Sequence, residues 1–206
     1  MKKEKIFEES LMMINELRNE LLVSKTIDCG LRLELAKECV GISIEHSEAI
    51  NLLLGSEYPI QAMILLRSQY EAVVKSYWIM FIASNEQVTR LNFNWTNEEQ
   101  GLKDKFPMVS EMLDLLYKAN LDAHLIIEQL KEFKNYNLTP LNSFVHTGKH
   151  SFIRKSVGFK PDFIIKLLCF SNNLVSTASH LIFKHTIPDK QKFLKTIHNK
   201  YSTCFV

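Results

Sequence analysis

Apolar residues recur along this chain at spacings of three and four, which is the period of an α-helix with one buried face. The first stripe predicts an N-terminal amphipathic helix and consists of Ile6, Phe7, Leu11, Ile14, Leu17, Leu21 and Leu22. A second helix is predicted from an N-cap at Asp28 to about Leu54, with Gly55 as the residue that stops it.

A third helix should form the centre of the fold. Pro59 suits the first turn of a helix, and the apolar pattern continues to about Ser84. Because this segment is apolar nearly all round, it is expected to be buried on every side. Its polar exceptions, Arg67, Glu71 and Lys75, are spaced by four residues and fall along one stripe.

The middle of the chain predicts shorter elements. Residues 85–106 are polar and mixed, which indicates short helical pieces in an insertion or loop. Two short helices are predicted at about 107–119 and 122–134. Turn-forming residues follow, and after them a helix of about two turns that Gly148 ends; the turn residues are Asn135, Asn137, Thr139 and Pro140.

The C-terminal part predicts a basic loop at 149–160, a long helix from Pro161 to about Lys184, and a basic tail helix within 188–206. No internal repeat and no clear strand pattern appears. The sequence therefore predicts an all-α fold, a single domain over 1–206 with a long central apolar helix and extra short helices. The scarcity of glycine (6) and proline (5) in 206 residues agrees with long helices.

Several classes of protein are disfavoured by the sequence. No stretch is apolar enough over about 20 residues to span a bilayer, and Met1–Ser10 lacks the apolar core of a signal peptide. We therefore expect a cytoplasmic protein with no membrane association. The four cysteines form no CxxC pair, and HExxH, glycine-rich phosphate-loop and nucleophile-elbow motifs are missing, so we expect no metal and no cofactor.

Charge is unevenly distributed along the chain. Residues 1–145 hold 15 basic and 21 acidic groups, a balance of −6, whereas residues 146–206 hold 10 basic and 2 acidic groups, a balance of +8. Such asymmetry can mark an anion-binding half. It can equally be a solvated basic face that complements the acidic half of a partner subunit, and both interpretations stay open.

Arg67 and Glu71 lie one turn apart in the central helix and can pair directly. An unpaired charge inside the protein would cost several kcal/mol, so we favour a buried ion pair that fixes the register of this helix. The functional alternative is an arginine that holds a phosphate or carboxylate and is oriented by the glutamate.

His146 is expected in the last turn of its helix, where the helix C-terminus favours the imidazolium and raises the pKa. Such a histidine could serve as general acid or base, or it could be a structural hydrogen-bonding residue. The segment that follows carries Lys149, His150, Arg154 and Lys155, which could bind phosphate or could form an exposed basic loop. If His146 meets Arg67 and Glu71 in space, the chain contains an Arg/Glu/His polar site.

Two segments resemble motifs of uncharacterised bacterial HEPN-like families. These families carry an Arg-Ser-x-x-Glu type motif in a central helix and a Ser-x-x-His-Gly type motif later, which in this chain has one more residue before the glycine. Here the segments are Leu66-Arg67-Ser68-Gln69-Tyr70-Glu71 and Ser143-Phe144-Val145-His146-Thr147-Gly148. The resemblance covers roughly residues 40–185 and implies a HEPN-like helical bundle that forms a homodimer.

In the wider HEPN signature, an arginine followed by a polar residue precedes the histidine by four to six positions. Asn142 and His146 match the polar residue and the histidine, but Leu141 stands in the arginine position. The larger pattern nevertheless supplies an arginine from another helix, Arg67.

The resemblance implies that the protein is a metal-independent endoribonuclease, acting as a toxin or phage-defence effector. His146 would exchange a proton with the 2′-hydroxyl or the leaving oxygen, Arg67 would stabilise the phosphorane, and Glu71 would orient Arg67. The RNA would be bound by Asn142, Lys149, His150, Arg154 and Lys155.

Leu141 favours an alternative, a catalytically inactive HEPN-like module that binds a nucleotide, RNA or a protein partner such as an antitoxin. A third interpretation is a helical scaffold in a larger complex, which would show an exposed apolar face on its first or last helix.

Overall fold

The computed structural model describes residues 2–92 and 106–206, and over these ranges the chain is almost entirely helical. Within them there is no β-strand, only an isolated bridge between Thr26 and Thr186. The predicted all-α class is therefore confirmed. The helices are α1 (Lys2–Val23), α2 (Leu31–Gly55), α3 (Pro59–Phe81), α4 (Asn85–Leu91), α5 (Val109–Lys118), α6 (His124–Phe133), α7 (Thr139–Val145), α8 (Lys149–Val157), α9 (Pro161–Phe183) and α10 (Gln191–Lys200).

The apolar helix α3 is central, as its sequence predicts. It packs against α2, α5, α7 and α9. Its largest side chains, Tyr70, Tyr77 and Trp78, are fully buried. Both tyrosine hydroxyls find backbone acceptors, Tyr70 at Leu130 (3.1 Å) and Tyr77 at Thr177 (3.0 Å), so their burial leaves no hydroxyl unpaired.

The ends of α2 differ from the prediction. Asp28 is not the N-cap: its carboxylate accepts a hydrogen bond from the N–H of Gly30 (2.9 Å), and Gly30 caps a helix that begins at Leu31. At the other end Gly55 is the last helical residue instead of the residue beyond the helix. The left-handed conformation falls on Glu57 (φ 64°).

The turn predicted around residues 135–140 is wrong. Residues Lys134–Leu138 form a π-helical turn that continues α6 into α7. Pro140 lies at the start of α7 and has no N–H for the carbonyl four residues earlier, which the wider turn accommodates. The side-chain amide of Asn137 donates a hydrogen bond to the carbonyl of Phe133 (3.2 Å), and this bond stabilises the continuous helix.

The basic loop predicted at 149–160 is also wrong, because Lys149–Val157 is helix α8.

The C-terminal tail and the insertion agree more closely with the prediction. The tail holds α10 and a 3₁₀ turn at Ser202–Cys204, and Lys200 and Tyr201 bind Glu16 of α1. In the insertion, α4 begins with a reciprocal Ser84–Gln87 capping box, and residues 93–105 lie outside the described part of the chain.

Among the described helices, none combines the length and the apolar character that crossing a membrane requires. Over the same residues, no three histidine, cysteine, aspartate or glutamate side chains come together in a group that could hold a metal ion.

Candidate functional site

The first motif lies where α3 meets α7. Arg67 donates from a terminal guanidinium nitrogen to Glu71 (N–O distance 2.8 Å) and from Nε to the side-chain carbonyl of Asn142. The relative solvent-accessible surface of the Arg67 side chain is 25 %, and that of the Glu71 side chain is 32 %. The expected ion pair therefore exists, but it is half-buried at the edge of the core instead of deep inside it.

His146 does not join this cluster. It caps the C-terminus of α7 and is exposed. Its backbone N–H donates to the carbonyl of Asn142 (3.0 Å), whereas its imidazole ring makes no hydrogen bond, ion pair or ring contact with any described residue. The structure therefore does not form the Arg/Glu/His contact that the sequence suggested.

The serine and glycine of the second motif build the turn between α7 and α8. The N–H of Gly148 donates to the carbonyl of Ser143 (2.6 Å), and Thr147 takes the left-handed conformation (φ 51°), which makes a Schellman-type helix end. A Cβ on Gly148 would lie 2.7 Å from Ser143 Oγ and 3.2 Å from the Ser143 carbonyl oxygen, so any other residue at this position would have to displace Ser143.

Ser143 also fixes the start of α8, which sequence reasoning missed. Its Oγ accepts a hydrogen bond from the N–H of His150 (3.1 Å), and its carbonyl accepts one from the hydroxyl of Ser151 (3.2 Å). These bonds satisfy groups at the first turn of α8 and convert the expected loop into a helix. The motif therefore sets the angle between two helices.

Helix α8 carries most of the predicted substrate-binding residues. Lys149, His150 and Lys155 are exposed, and α8 contains no acidic residue. No carboxylate of the described chain pairs with these three side chains. Phe152, one turn from Lys149 and from Lys155, is 68 % exposed. We refer to Lys149, His150, Phe152 and Lys155 as the basic surface of α8.

The other two predicted substrate-binding residues have internal partners. The Arg154 guanidinium lies 5.5 Å and 5.6 Å from the ring centroids of Phe159 and Phe163, so it packs α8 against the start of α9. Asn142 is engaged by Arg67. These contacts are structural, and they leave the basic surface of α8 as the part that faces solvent.

A buried polar layer lies behind the first motif. Gln69 is fully buried, and its amide donates to the carbonyls of Ser43 (3.2 Å) and Ser171 (3.1 Å). The Ser171 hydroxyl lies 2.8 Å from the Gln69 side-chain oxygen. These bonds join α2, α3 and α9. The sequence signal for this layer was a polar residue, Gln69, within the apolar helix α3.

These features define an all-helical protein that presents a short basic helix, α8, to solvent. Residues 40–206 match a family model described as "Family of unknown function (DUF6988)", and the chain belongs to this family. The match begins within α2 and includes both motifs and α8. Neither the curated proteins nor the solved structures contain a match to this chain.

Proposed function

We propose that the protein is a HEPN-like module that binds single-stranded RNA through the basic surface of α8. The observation that carries the proposal is the exposed Phe152 between the unpaired Lys149 and Lys155. Lysine ammonium groups neutralise phosphates, and an exposed aromatic ring stacks on an unpaired base. The balance of +8 in residues 146–206 adds a longer-range attraction for a polyanion.

The hydrogen bonds of the Arg67 guanidinium favour RNA binding without RNA cleavage. A guanidinium that stabilises a phosphorane needs donors aimed at the reacting phosphate. Here Nε and one terminal nitrogen of Arg67 are committed to Asn142 and Glu71. In this proposal the three residues form a latch, which holds α7 against α3 and thereby positions the turn that leads into α8.

A second candidate is the metal-independent endoribonuclease, a toxin or phage-defence effector. The observation in its favour is the exposed, unpartnered imidazole of His146 at the edge of the basic surface of α8. A histidine with a free ring can exchange protons with a bound RNA hydroxyl. The HEPN resemblance adds a homodimer with the histidines near the shared axis.

Fluorescence anisotropy with a labelled single-stranded RNA tests the binding proposal. The variant Lys149→Ala/Lys155→Ala should bind at least tenfold more weakly, with the slope of log K against log salt reduced by about 1.4 for two lost phosphate contacts. Phe152→Ala should weaken binding without changing this slope, because it removes stacking and no charge.

The matched control is Lys192→Ala/Lys195→Ala on α10, which removes the same charge from two exposed lysines in the same basic half of the chain. It should keep nearly wild-type affinity. Equal losses in the two double variants would show unspecific attraction to net charge and contradict the proposal.

A cleavage assay separates the two candidates. Wild-type protein and His146→Ala are incubated with total tRNA and with the labelled RNA in EDTA. RNA cleavage by the wild type that disappears in His146→Ala would favour the endoribonuclease. Binding without cleavage by either protein supports the non-catalytic module.

A further inference from the structure

A second feature lies away from α8, in a groove of about 710 Å³ between α6 with its π-helical turn, α9 and the C-terminal segment. One wall is built from Phe133 and Phe170, whose ring centroids are 6.0 Å apart at 85°. The other wall is a stack of His198 on Phe205, with centroids 4.3 Å apart at 20°. Two pairs of packed aromatic rings therefore line the groove.

The first wall is held firmly by the core. Phe133 stacks on the fully buried Tyr70, with ring centroids 4.9 Å apart at 16°, and the Tyr70 hydroxyl is bound to the carbonyl of Leu130. The ring stacking and the hydrogen bond both join α6 to the central helix α3. A wall fixed in this way is preformed, which reduces the ordering cost of binding.

Polar groups of α9 line the floor of the groove. Ser176 Oγ lies 2.5 Å from Nε2 of His198, and Thr177 and His180 are on the same stretch of helix. Nδ1 of His180 is buried and has no hydrogen-bond partner among the described residues. Because Nδ1 is closed off from solvent, a ligand in the open groove would meet the other ring nitrogen of His180, Nε2, which also has no partner among the described residues.

The charge of the lining restricts the ligand. Among the described residues that line the groove there is no lysine or arginine, and the one charged side chain is the carboxylate of Glu132. Burial lowers the pKa of His180 and of His198, which favours the neutral form of both rings. A neutral imidazole offers one donor and one acceptor. The groove thus disfavours anions and suits an uncharged group with both donors and acceptors.

Ser176 with His198 also resembles a nucleophile and its base, but the backbone argues against acyl transfer. Ser176 lies inside α9, where the N–H groups are used by the helix and cannot form an oxyanion hole. The pair is therefore better suited to holding the edge of a ligand than to attacking it.

We propose that this groove binds an uncharged planar heterocycle of the nucleobase class, as the free base or the nucleoside. The ring would lie between the Phe133–Phe170 wall and the His198–Phe205 wall, with its polar edge on Ser176 and His180. The volume lies in the range of small-molecule sites, about 300–1,000 Å³. The groove shares no residue with the basic surface of α8, so this inference stands apart from the RNA-binding proposal.

Isothermal titration calorimetry of the full chain with adenosine, guanosine, cytidine and uridine tests the inference. Saturable one-to-one binding is expected for at least one nucleoside. His180→Phe keeps a ring of similar shape and removes both ring nitrogens, neither of which has a partner among the described residues, so the fold loses no hydrogen bond. His180→Phe and Ser176→Ala should each weaken binding about tenfold, the loss expected for one hydrogen bond.

His46→Phe is the matched control, since it makes the same substitution at a histidine of α2 that belongs neither to the groove nor to the basic surface of α8, and it should leave the affinity unchanged. The nucleoside should also bind more tightly than its 5′-monophosphate, because the lining offers no cation. Three results would each overturn the inference: no saturable heat with any of the four nucleosides, unchanged affinity in both groove variants, or tighter binding of the monophosphate.

Discussion

Arg67 on α3 donates a hydrogen bond through Nε to Asn142 on α7, 75 residues further along the chain. The same guanidinium holds Glu71 one turn away on α3. A charged donor thus links the central helix to the short helix that ends at the α7–α8 turn. This link gives a reason for the charged residues Arg67 and Glu71 in the apolar central helix.

Arg67→Ala should lower the free energy of unfolding by about 1–3 kcal/mol, because it removes charge-assisted hydrogen bonds from a half-buried pair. Asn142→Ala should cost less, and the double variant should cost less than the sum of the two single losses. Urea unfolding of the four proteins measures this coupling. Lys5→Ala, which breaks an exposed pair with Glu9, should change stability by about 0.5 kcal/mol or less. If the losses in free energy of unfolding for Arg67→Ala and Asn142→Ala are strictly additive in the double variant, the proposed link between α3 and α7 is contradicted.

Gly148→Ala should destabilise the protein by about 1–3 kcal/mol, because its Cβ would meet Ser143 Oγ at 2.7 Å and the Ser143 carbonyl oxygen at 3.2 Å. Gly41→Ala is the matched control, since that glycine lies inside α2 with nothing within 4 Å of the added Cβ. It should stabilise by about 0.5–1 kcal/mol through helix propensity. The two thermal midpoints should move in opposite directions, and a shared direction would refute the steric account.

Gln69→Ala should cost about 2–4 kcal/mol, since it deletes buried hydrogen bonds to Ser43 and Ser171 and leaves a cavity. Ser43→Ala offers a contrast in the same layer. The Ser43 hydroxyl is buried without a partner, so its removal should be neutral or stabilising. Chemical denaturation of both variants tests this, and similar losses would show that the polar layer is not what holds α2, α3 and α9 together.

His146→Ala should leave the thermal midpoint within about 1 °C of the wild type, because the exposed ring makes no hydrogen bond, ion pair or ring contact with a described residue and surface substitutions cost little. Any RNA cleavage by the wild type should disappear in this variant. Differential scanning calorimetry and the EDTA cleavage assay give the two readings. Full activity of His146→Ala would exclude this histidine as the acid or base.

Stability should fall as the pH drops below 6.5. Burial lowers the pKa of His46, His180 and His198 from the ordinary 6.5, so the unfolded chain takes up protons before the folded one does. The stabilisation is therefore complete above pH 6.5 and is lost as the pH falls toward the lower folded pKa values. Urea midpoints at pH 7.5 and 5.5 measure the loss, which should be smaller in His180→Phe. Equal urea midpoints of the wild type at the two pH values would contradict this prediction.

Local pattern was enough to place the long helices. The buried face of α3 and the ends set by Pro59 and Pro161 follow from apolar spacing and from proline's missing N–H, which are properties of the chain near each residue. The ion pair of Arg67 with Glu71 was equally accessible, since one helical turn brings the two side chains together.

The errors occurred where a distant or non-repeating contact decides the backbone. Helix α8 was expected as a loop because its sequence is basic, yet its first turn is satisfied by Ser143, which belongs to the preceding helix. The π-helical turn before α7 likewise depends on how Pro140 is accommodated, and apolar periodicity carries no signal for that.

The sequence by itself determined the helical class and the position of the central helix, because hydrophobic periodicity and helix-ending residues act locally. Only the tertiary structure decided that Asn142 and not His146 completes the Arg67 cluster, and that Ser176, His180 and His198 meet in one groove. Those relationships depend on the packing of α7 against α3 and of α10 against α9. The relative orientation of two helices is set by the whole core and not by the sequence around either residue.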